Sequence, residues 1–391
     1  SETSMTNPLA PAWARSLRAA ACTLLACSSW AALAADRNSP DNFASAGQRY
    51  MGCATAATGQ AGKAPPAGAV AEQGFLRVGG VEQWVTIQGG SCANPVVLFL
   101  HGGPGNPLSP FADAIYGAWQ KDFTLVQWDQ RGAGMSYGRN PPGEDAVLTL
   151  DQMVADGLEV AQFLTRHLGQ RKIILMGSSW GSVLGVHMAK RRPDLFVAYV
   201  GTAQLVSQVR NQTAFFDAVK ALAQADGDQK TLAALDAVGP PPWQNPRAFG
   251  VVRRASRALD AKRTTPPPPH WWQPAALYAT PQALEHTERG EDYSWLQFVG
   301  FKNNGIFSQV DLPALGTDFA VPIYLVQGAQ DLLTPVEVTR PYLDSISAPD
   351  KTLVLVPRAG HDPNEPTVAA QYRLLKERVL PLAKALAAAT P

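Results

Sequence analysis

The chain has 391 residues, 46% hydrophobic and 17% charged, which is enough apolar material for a large core plus an insertion or a second domain. Lys and Arg number 33 against 32 Asp and Glu, so the formal net charge is +1. This balance excludes the clustered basic excess on which nucleic-acid binding or polybasic attraction to a membrane depends.

The first segment reads as an export signal. Arg15 and Arg18 give a positive start, residues 19–30 are apolar, and Ala32-Leu33-Ala34 has the small-x-small pattern of a cleavage site. The apolar run is too short to cross about 30 Å of hydrocarbon as a helix, so no transmembrane segment is expected. The product is then periplasmic or secreted. An alternative is lipid attachment at Cys27, because Leu24-Leu25-Ala26-Cys27 resembles a bacterial lipobox. Cleavage leaves Cys53 and Cys92, which an oxidising compartment allows to pair. A Cys53–Cys92 disulfide would pin the N-terminal extension to the start of the core; two separate buried thiols are the alternative. No CxxC or Cys/His cluster is present, so no metal or cofactor is expected.

Residues 35–74 are rich in Ala, Gly and Pro and show no convincing period, which predicts an extension outside the fold. Residues 75–78 and 81–87, separated by Gly79-Gly80, predict a β-hairpin. Apolar runs at 96–100, 123–128, 172–176 and 196–200 then alternate with helical stretches. Continuous apolar strands of this kind predict an α/β fold whose sheet is mostly parallel and flanked by helices on both faces. The pattern breaks at residues 204–316, where helical stretches, a Pro-rich run at 265–269 and Trp271-Trp272 predict an inserted, mainly helical cap. It resumes at 321–326 and 352–356 and closes with an amphipathic helix over 367–388. The expected division is a signal at 1–34, an extension at 35–74, a core at 75–203 and 317–391, and a cap at 204–316.

Gly177-Ser178-Ser179-Trp180-Gly181 fits G-x-S-x-G and lies between a predicted strand and a predicted helix. A sharp strand-to-helix turn of this kind projects a serine Oγ and needs small residues where the backbones crowd. Ser178 is the rival nucleophile, but the five-residue frame selects Ser179. A serine hydroxyl needs a positioned base. Of six histidines, His167 and His187 fall on predicted helices, His270 and His286 in the cap, and His101 after an early strand. Only His361 follows the last strand, so it is the candidate base. The orienting acid should leave the strand ending at Val326, which selects Asp331 over Asp311, Asp318 and Asp362. His101-Gly102-Gly103-Pro104-Gly105 follows the strand from which one oxyanion donor is expected, and the backbone N–H of Trp180 supplies the other.

Together HGGPG at 101–105, DQRGxGxS at 129–136 and G-x-SWGS around Ser179 resemble the proline iminopeptidase group of serine peptidases. The resemblance runs from about residue 75 to 202 and from 320 to the end. It implies the α/β-hydrolase fold, Ser179, Asp331 and His361 as catalytic triad, and Gly103 with Trp180 as oxyanion donors. It also implies release of an N-terminal residue, typically proline, from a small peptide.

The resemblance thins in the cap. An aminopeptidase must hold a free ammonium, which is costly to desolvate without a carboxylate, yet residues 200–213 contain no acid. Glu285 and Glu288 are candidate amine partners, and Trp271, Trp272 and Trp295 are candidate walls of an acyl pocket. A solvated charged face and a cap core are the plainer readings of the same residues. Three functions therefore stay open: an aminopeptidase of the iminopeptidase type, an esterase or amidase with the same triad and no amine requirement, and an exported binding protein on the same fold. Oligomeric state is not legible.

Overall fold

The computed structural model describes residue 43, residues 68–143 and residues 145–389. The expected export signal, Cys27 and Cys53 lie outside these residues. Eight strands form one sheet among the described residues: β1 (Val70–Val78), β2 (Val81–Gly89), β3 (Val96–Leu100), β4 (Thr124–Trp128), β5 (Ile173–Ser178), β6 (Phe196–Thr202), β7 (Ile323–Gly328) and β8 (Lys351–Val356). Their order is β1-β2-β4-β3-β5-β6-β7-β8. The pairs β1/β2 and β2/β4 are antiparallel, and every later pair is parallel. The α/β-hydrolase fold with a mostly parallel sheet, expected from the alternating apolar runs and the resemblance, is the fold observed.

The helices in chain order are α1 (Ala112–Tyr116), α2 (Gly134–Arg139), α3 (Leu150–His167), α4 (Trp180–Arg191), α5 (Gln208–Ala225), α6 (Gln229–Val238), α7 (Pro246–Ala261), α8 (Pro281–Val299), α9 (Val336–Ser345), α10 (Glu365–Leu374) and α11 (Leu380–Ala388). Side chains alternate across the sheet. Val96, Leu98 and Leu100 of β3 belong to the apolar cluster on the side of α3 and α4, whereas Val97 and Phe99 belong to the one on the other face, where Phe99 packs on Tyr116 and Trp119. Burial on both faces is why the central strands read as unbroken apolar runs. No helix among the described residues is long and apolar enough to cross a membrane.

Between β6 and β7 the chain leaves the sheet and builds α5 to α8. Phe215, Phe216, Val219, Leu235, Trp243, Val252 and Leu259 form a separate apolar cluster there, and Leu332 from the loop after β7 enters it. That contact couples the inserted helices to the segment carrying Asp331.

Two boundaries differ from expectation. β1 starts at Val70, inside the segment read as an extension, and pairs with β2 along its whole length from Val70 opposite Gly89. Its first residues include Glu72 and Gln73, so no apolar alternation marked them; hairpin pairing decides the strand. The final helix is one run broken by a π-turn at Leu375–Val379, just before Pro381. Proline lacks an N–H and its ring crowds the preceding turn, which favours a widened turn there. Cys92 is disulfide-bonded.

Candidate active site

β5 delivers the chain into the G-x-S-x-G turn. Ser179 has φ 51° and ψ −120°, and α4 begins at the next residue. A non-glycine residue held there costs roughly 1–3 kcal/mol and persists only where the surroundings over-determine it. The flanking glycines supply that constraint. A Cβ on Gly177 would lie 2.4 Å from the Gly181 carbonyl oxygen, and one on Gly181 would lie 2.0 Å from that of Leu100. The Ser179 N–H is anchored on the Thr202 carbonyl at 3.1 Å.

His361 reaches Ser179 from the loop after β8. Its Nε2 lies 3.0 Å from Ser179 Oγ, and its Nδ1 lies 3.1 Å from Asp331 Oδ2 and 3.2 Å from Oδ1. The loop is held by cross-ties: Gln330 N–H donates to the Ala359 carbonyl at 2.9 Å and Thr265 N–H to the Arg358 carbonyl at 2.8 Å. Asn364 Nδ2 donates to both Thr265 O and Arg358 O, at 2.9 and 3.0 Å. Asp331 accepts from the Leu333 and Thr334 N–H groups, each at 2.9 Å. It also accepts from Thr334 Oγ1 at 2.6 Å and Gln327 Nε2 at 3.0 Å. Burial alone would push its carboxyl up, but the neighbouring His361 and these donors outweigh it and hold the pKa below the usual carboxylate value. Asp331 is therefore ionised, and an ionised carboxylate at Nδ1 fixes that proton and leaves Nε2 free to accept from Ser179.

A pocket of about 430 Å³, counting its open mouth, lies beside Ser179. Gly103 and Trp180 line it together with Ser179. Trp180 is the first residue of α4, where a backbone N–H has no intrahelical acceptor. The remaining wall comes from Leu205, Phe215, Phe249, Trp295, Phe298, Phe307 and Leu333, with Asn211, Gln212 and Thr334 as its polar members. A second hollow, lined by Asp260, Trp272, His361 and Asp362 among others, shares no residue with the first.

The other two motifs support this turn from behind. His101 is buried and its Nε2 accepts the Gln130 N–H at 3.1 Å, so Nδ1 carries the proton donated to Gly102 O at 2.9 Å. Burial pushes this imidazole down to about 4, which keeps it neutral. Gln130 Nε2 donates to the His101 carbonyl at 3.0 Å, while its Oε1 accepts from the Trp180 indole at 3.0 Å. Asp129 accepts from Ser109 Oγ and from the Met135 N–H at 2.9 Å. Arg131 forms a bidentate pair with the buried Asp156 at 2.8 and 3.1 Å. The DQRG segment is thus a set of ties that fixes the HGGPG loop against α4.

Of the five residues singled out as substrate contacts, the structure brings only Trp295 to the pocket. Trp271 is buried in the core cluster with Phe99 and Tyr116. Trp272 packs edge-on against Phe111 and lines the second hollow. Glu285 and Glu288 are exposed on α8, Glu285 paired with Arg289 at 3.3 Å. The reason is helical phase: α8 turns Ser294 and Phe298 inward and these acids outward. Asn211, Gln212, Phe215, Phe249 and Phe307 were not foreseen. Three of them sit on α5, Phe249 on α7 and Phe307 after α8, and the one signal available was that residues 200–213 hold no acid.

Residues 95–366 match the family model of the α/β hydrolase fold. The chain is 27% identical over 304 residues to a probable aminopeptidase, YbaC, of Bacillus subtilis, covering 75% of this chain and 92% of that protein. It is 26% identical over 328 residues to the proline iminopeptidase of Neisseria gonorrhoeae, covering 79% and 96%. The crystal structure of a proline iminopeptidase from Mycobacterium smegmatis superposes with a TM-score of 0.55 at 23% identity, covering 81% of this chain and all of that one (100%).

Proposed function

The chain belongs to the α/β hydrolase fold family, and from that membership we propose that it is an exported serine hydrolase of the proline iminopeptidase type, working through an acyl-enzyme. One observation carries the chemistry: Ser179 Oγ, both ring nitrogens of His361 and the Asp331 carboxylate form one hydrogen-bonded line, at 3.0 and 3.1 Å. In this reading Ser179 attacks the scissile carbonyl while His361 takes its proton and then returns it to the leaving group. The backbone N–H groups of Gly103 and Trp180 meet the oxyanion. Water, deprotonated by the same histidine, releases the acyl group. The leader at residues 1–34 and a Cys53–Cys92 disulfide belong to this proposal, with a periplasmic or secreted product.

The names of its relatives support release of an N-terminal residue from a peptide. A specific observation favours a second reading, an ester or amide without a free amine: no Asp or Glu is among the residues lining the pocket beside Ser179. A paired assay separates them, using a proline arylamide, its N-acylated counterpart and a short-chain ester, with wild type and Ser179→Ala. Preference for the free-amine arylamide supports the peptidase reading. Equal or better turnover of the blocked substrate or the ester sinks it. If Ser179→Ala matches wild type on all three, neither enzymatic reading survives.

A further inference from the structure

We propose that the second hollow, on the His361 side of the site, receives the leaving part of a peptide substrate, and that Arg257 binds the free carboxylate at its end. This rests on the peptidase reading and names the product released: an amino acid or short peptide with an uncapped C-terminus. Ser179 lines the first pocket and His361 the second hollow, and the 3.0 Å hydrogen bond between Oγ and Nε2 joins the two. In acyl transfer the acyl group stays on the serine. The leaving nitrogen takes its proton from Nε2, so it departs within hydrogen-bond reach of that atom. The side that His361 lines is therefore the exit side. The hollow measures about 820 Å³, counting its open mouth. Its apolar wall is Trp272, 40% exposed, with Pro266 and Pro267. Thr265, beside those prolines, is tied through its N–H to Arg358 O at 2.8 Å, and Asn364 Nδ2 bonds the carbonyls of both residues. The wall is thus fixed to the loop that carries His361.

The charges around the hollow set the chemistry of its ligand. Arg253 is mostly buried and faces Asp260 at 4.0 Å and Asp362 at 3.9 Å, so the two acids that line the hollow are committed to it. Burial and the charge of Asp331 also push the Asp260 carboxyl up to about 7, which keeps much of it neutral at neutral pH. Arg257, one turn further along α7, is exposed, lines the hollow and has no ion pair within 4.0 Å among the described residues. Glu291, beside the HGGPG loop and bonded to Asn106, feels the charge of Arg257 without forming such a pair. An exposed guanidinium whose neighbouring acids are spent offers its planar fork to a carboxylate. A cationic end group would meet Arg257 with Asp260 and Asp362 already engaged.

Two measurements on the full chain test this. In a Ser179→Ala background, which blocks turnover, calorimetric titration compares L-prolyl-L-phenylalanine with L-prolyl-L-phenylalaninamide. The free carboxylate is expected to bind about fivefold more tightly, the upper range for an exposed ion pair. Arg257→Gln should bring that ratio to about one. Arg254→Gln, which removes another exposed cation of α7 that lines neither hollow, should leave it unmoved. Thermal melts establish that both variants are folded. Equal or tighter binding of the amide overturns the proposal, as does binding of neither ligand, a ratio that survives Arg257→Gln, or one that Arg254→Gln abolishes as well. Hydrolysis of the proline arylamide by the chain with Ser179 intact is scored separately. Failure to cleave it, with the carboxylate preference retained, sinks the peptidase reading and leaves Arg257 as a carboxylate site. Cleavage without that preference sinks the assignment of the hollow alone.

Discussion

The indole N–H of Trp180 donates to Gln130 Oε1 at 3.0 Å, so the residue next to the candidate nucleophile is tied to the loop after β4. The same amide donates to the His101 carbonyl at 3.0 Å, which brings the HGGPG loop into the same tie. One buried glutamine thereby sets the spacing between the two backbone segments expected to hold an oxyanion.

Gln130→Leu removes both bonds while keeping the volume. It leaves a buried indole N–H and a buried carbonyl unpaired, so a loss of roughly 1–3 kcal/mol is expected. Urea unfolding checks that figure. The value of kcat should fall more than KM rises, because the oxyanion donors act on the transition state. An unchanged kcat would show that the two loops keep their spacing without Gln130.

Asp331→Asn should lower kcat by about 10⁴-fold, since an amide facing Nδ1 favours the wrong imidazole tautomer. Thr334 and Leu333 keep an acceptor in Oδ1, so the fold should survive, and circular dichroism checks this. A decrease smaller than about tenfold would remove Asp331 from the catalytic line.

Gly181→Ala places a methyl group 2.0 Å from the Leu100 carbonyl oxygen, a backbone atom that cannot move aside cheaply. A destabilisation above about 3 kcal/mol is expected. Ser179→Ala, which adds no atoms, should melt as wild type does. Thermal melts of the two variants side by side give the comparison.

Burial raises the pKa of Asp129 to about 7, against the hydrogen bonds from Ser109 and Met135 that lower it. The folded chain therefore holds a proton there that the unfolded chain has released, and the contribution of this group is present below the ordinary carboxylate pKa. It is lost as pH rises toward about 7. Asp129→Asn keeps an acceptor for Met135 and removes the titration. The variant should gain in Tm relative to wild type between pH 5 and pH 8. A constant Tm difference across that range would mean that Asp129 does not titrate in it.

Much of the core was legible because its signals are local. A strand buried on both faces has to be apolar throughout, so 96–100, 172–176 and 196–200 announced themselves. Ser179 was legible because only a small-residue frame can make its turn. Asp331 and His361 followed from chain order after strands, and the structure brings them to within 3.1 Å of each other. The start of β1 was not legible, since Glu72 and Gln73 owe their strand to pairing with β2 and not to their own apolar pattern.

The sequence by itself determined the strand order of the chemistry: which serine can turn sharply, which histidine follows the last strand, and which carboxylate leaves β7. Those are properties of short segments, fixed by backbone sterics and by burial periodicity. Only the tertiary structure decided what surrounds Ser179. Helix phase turned Glu285 and Glu288 to solvent, sent Trp271 into the core, and set Asn211 and Gln212 in the pocket wall. A pocket wall gathers residues from distant segments, and nothing in a linear pattern records which faces will meet.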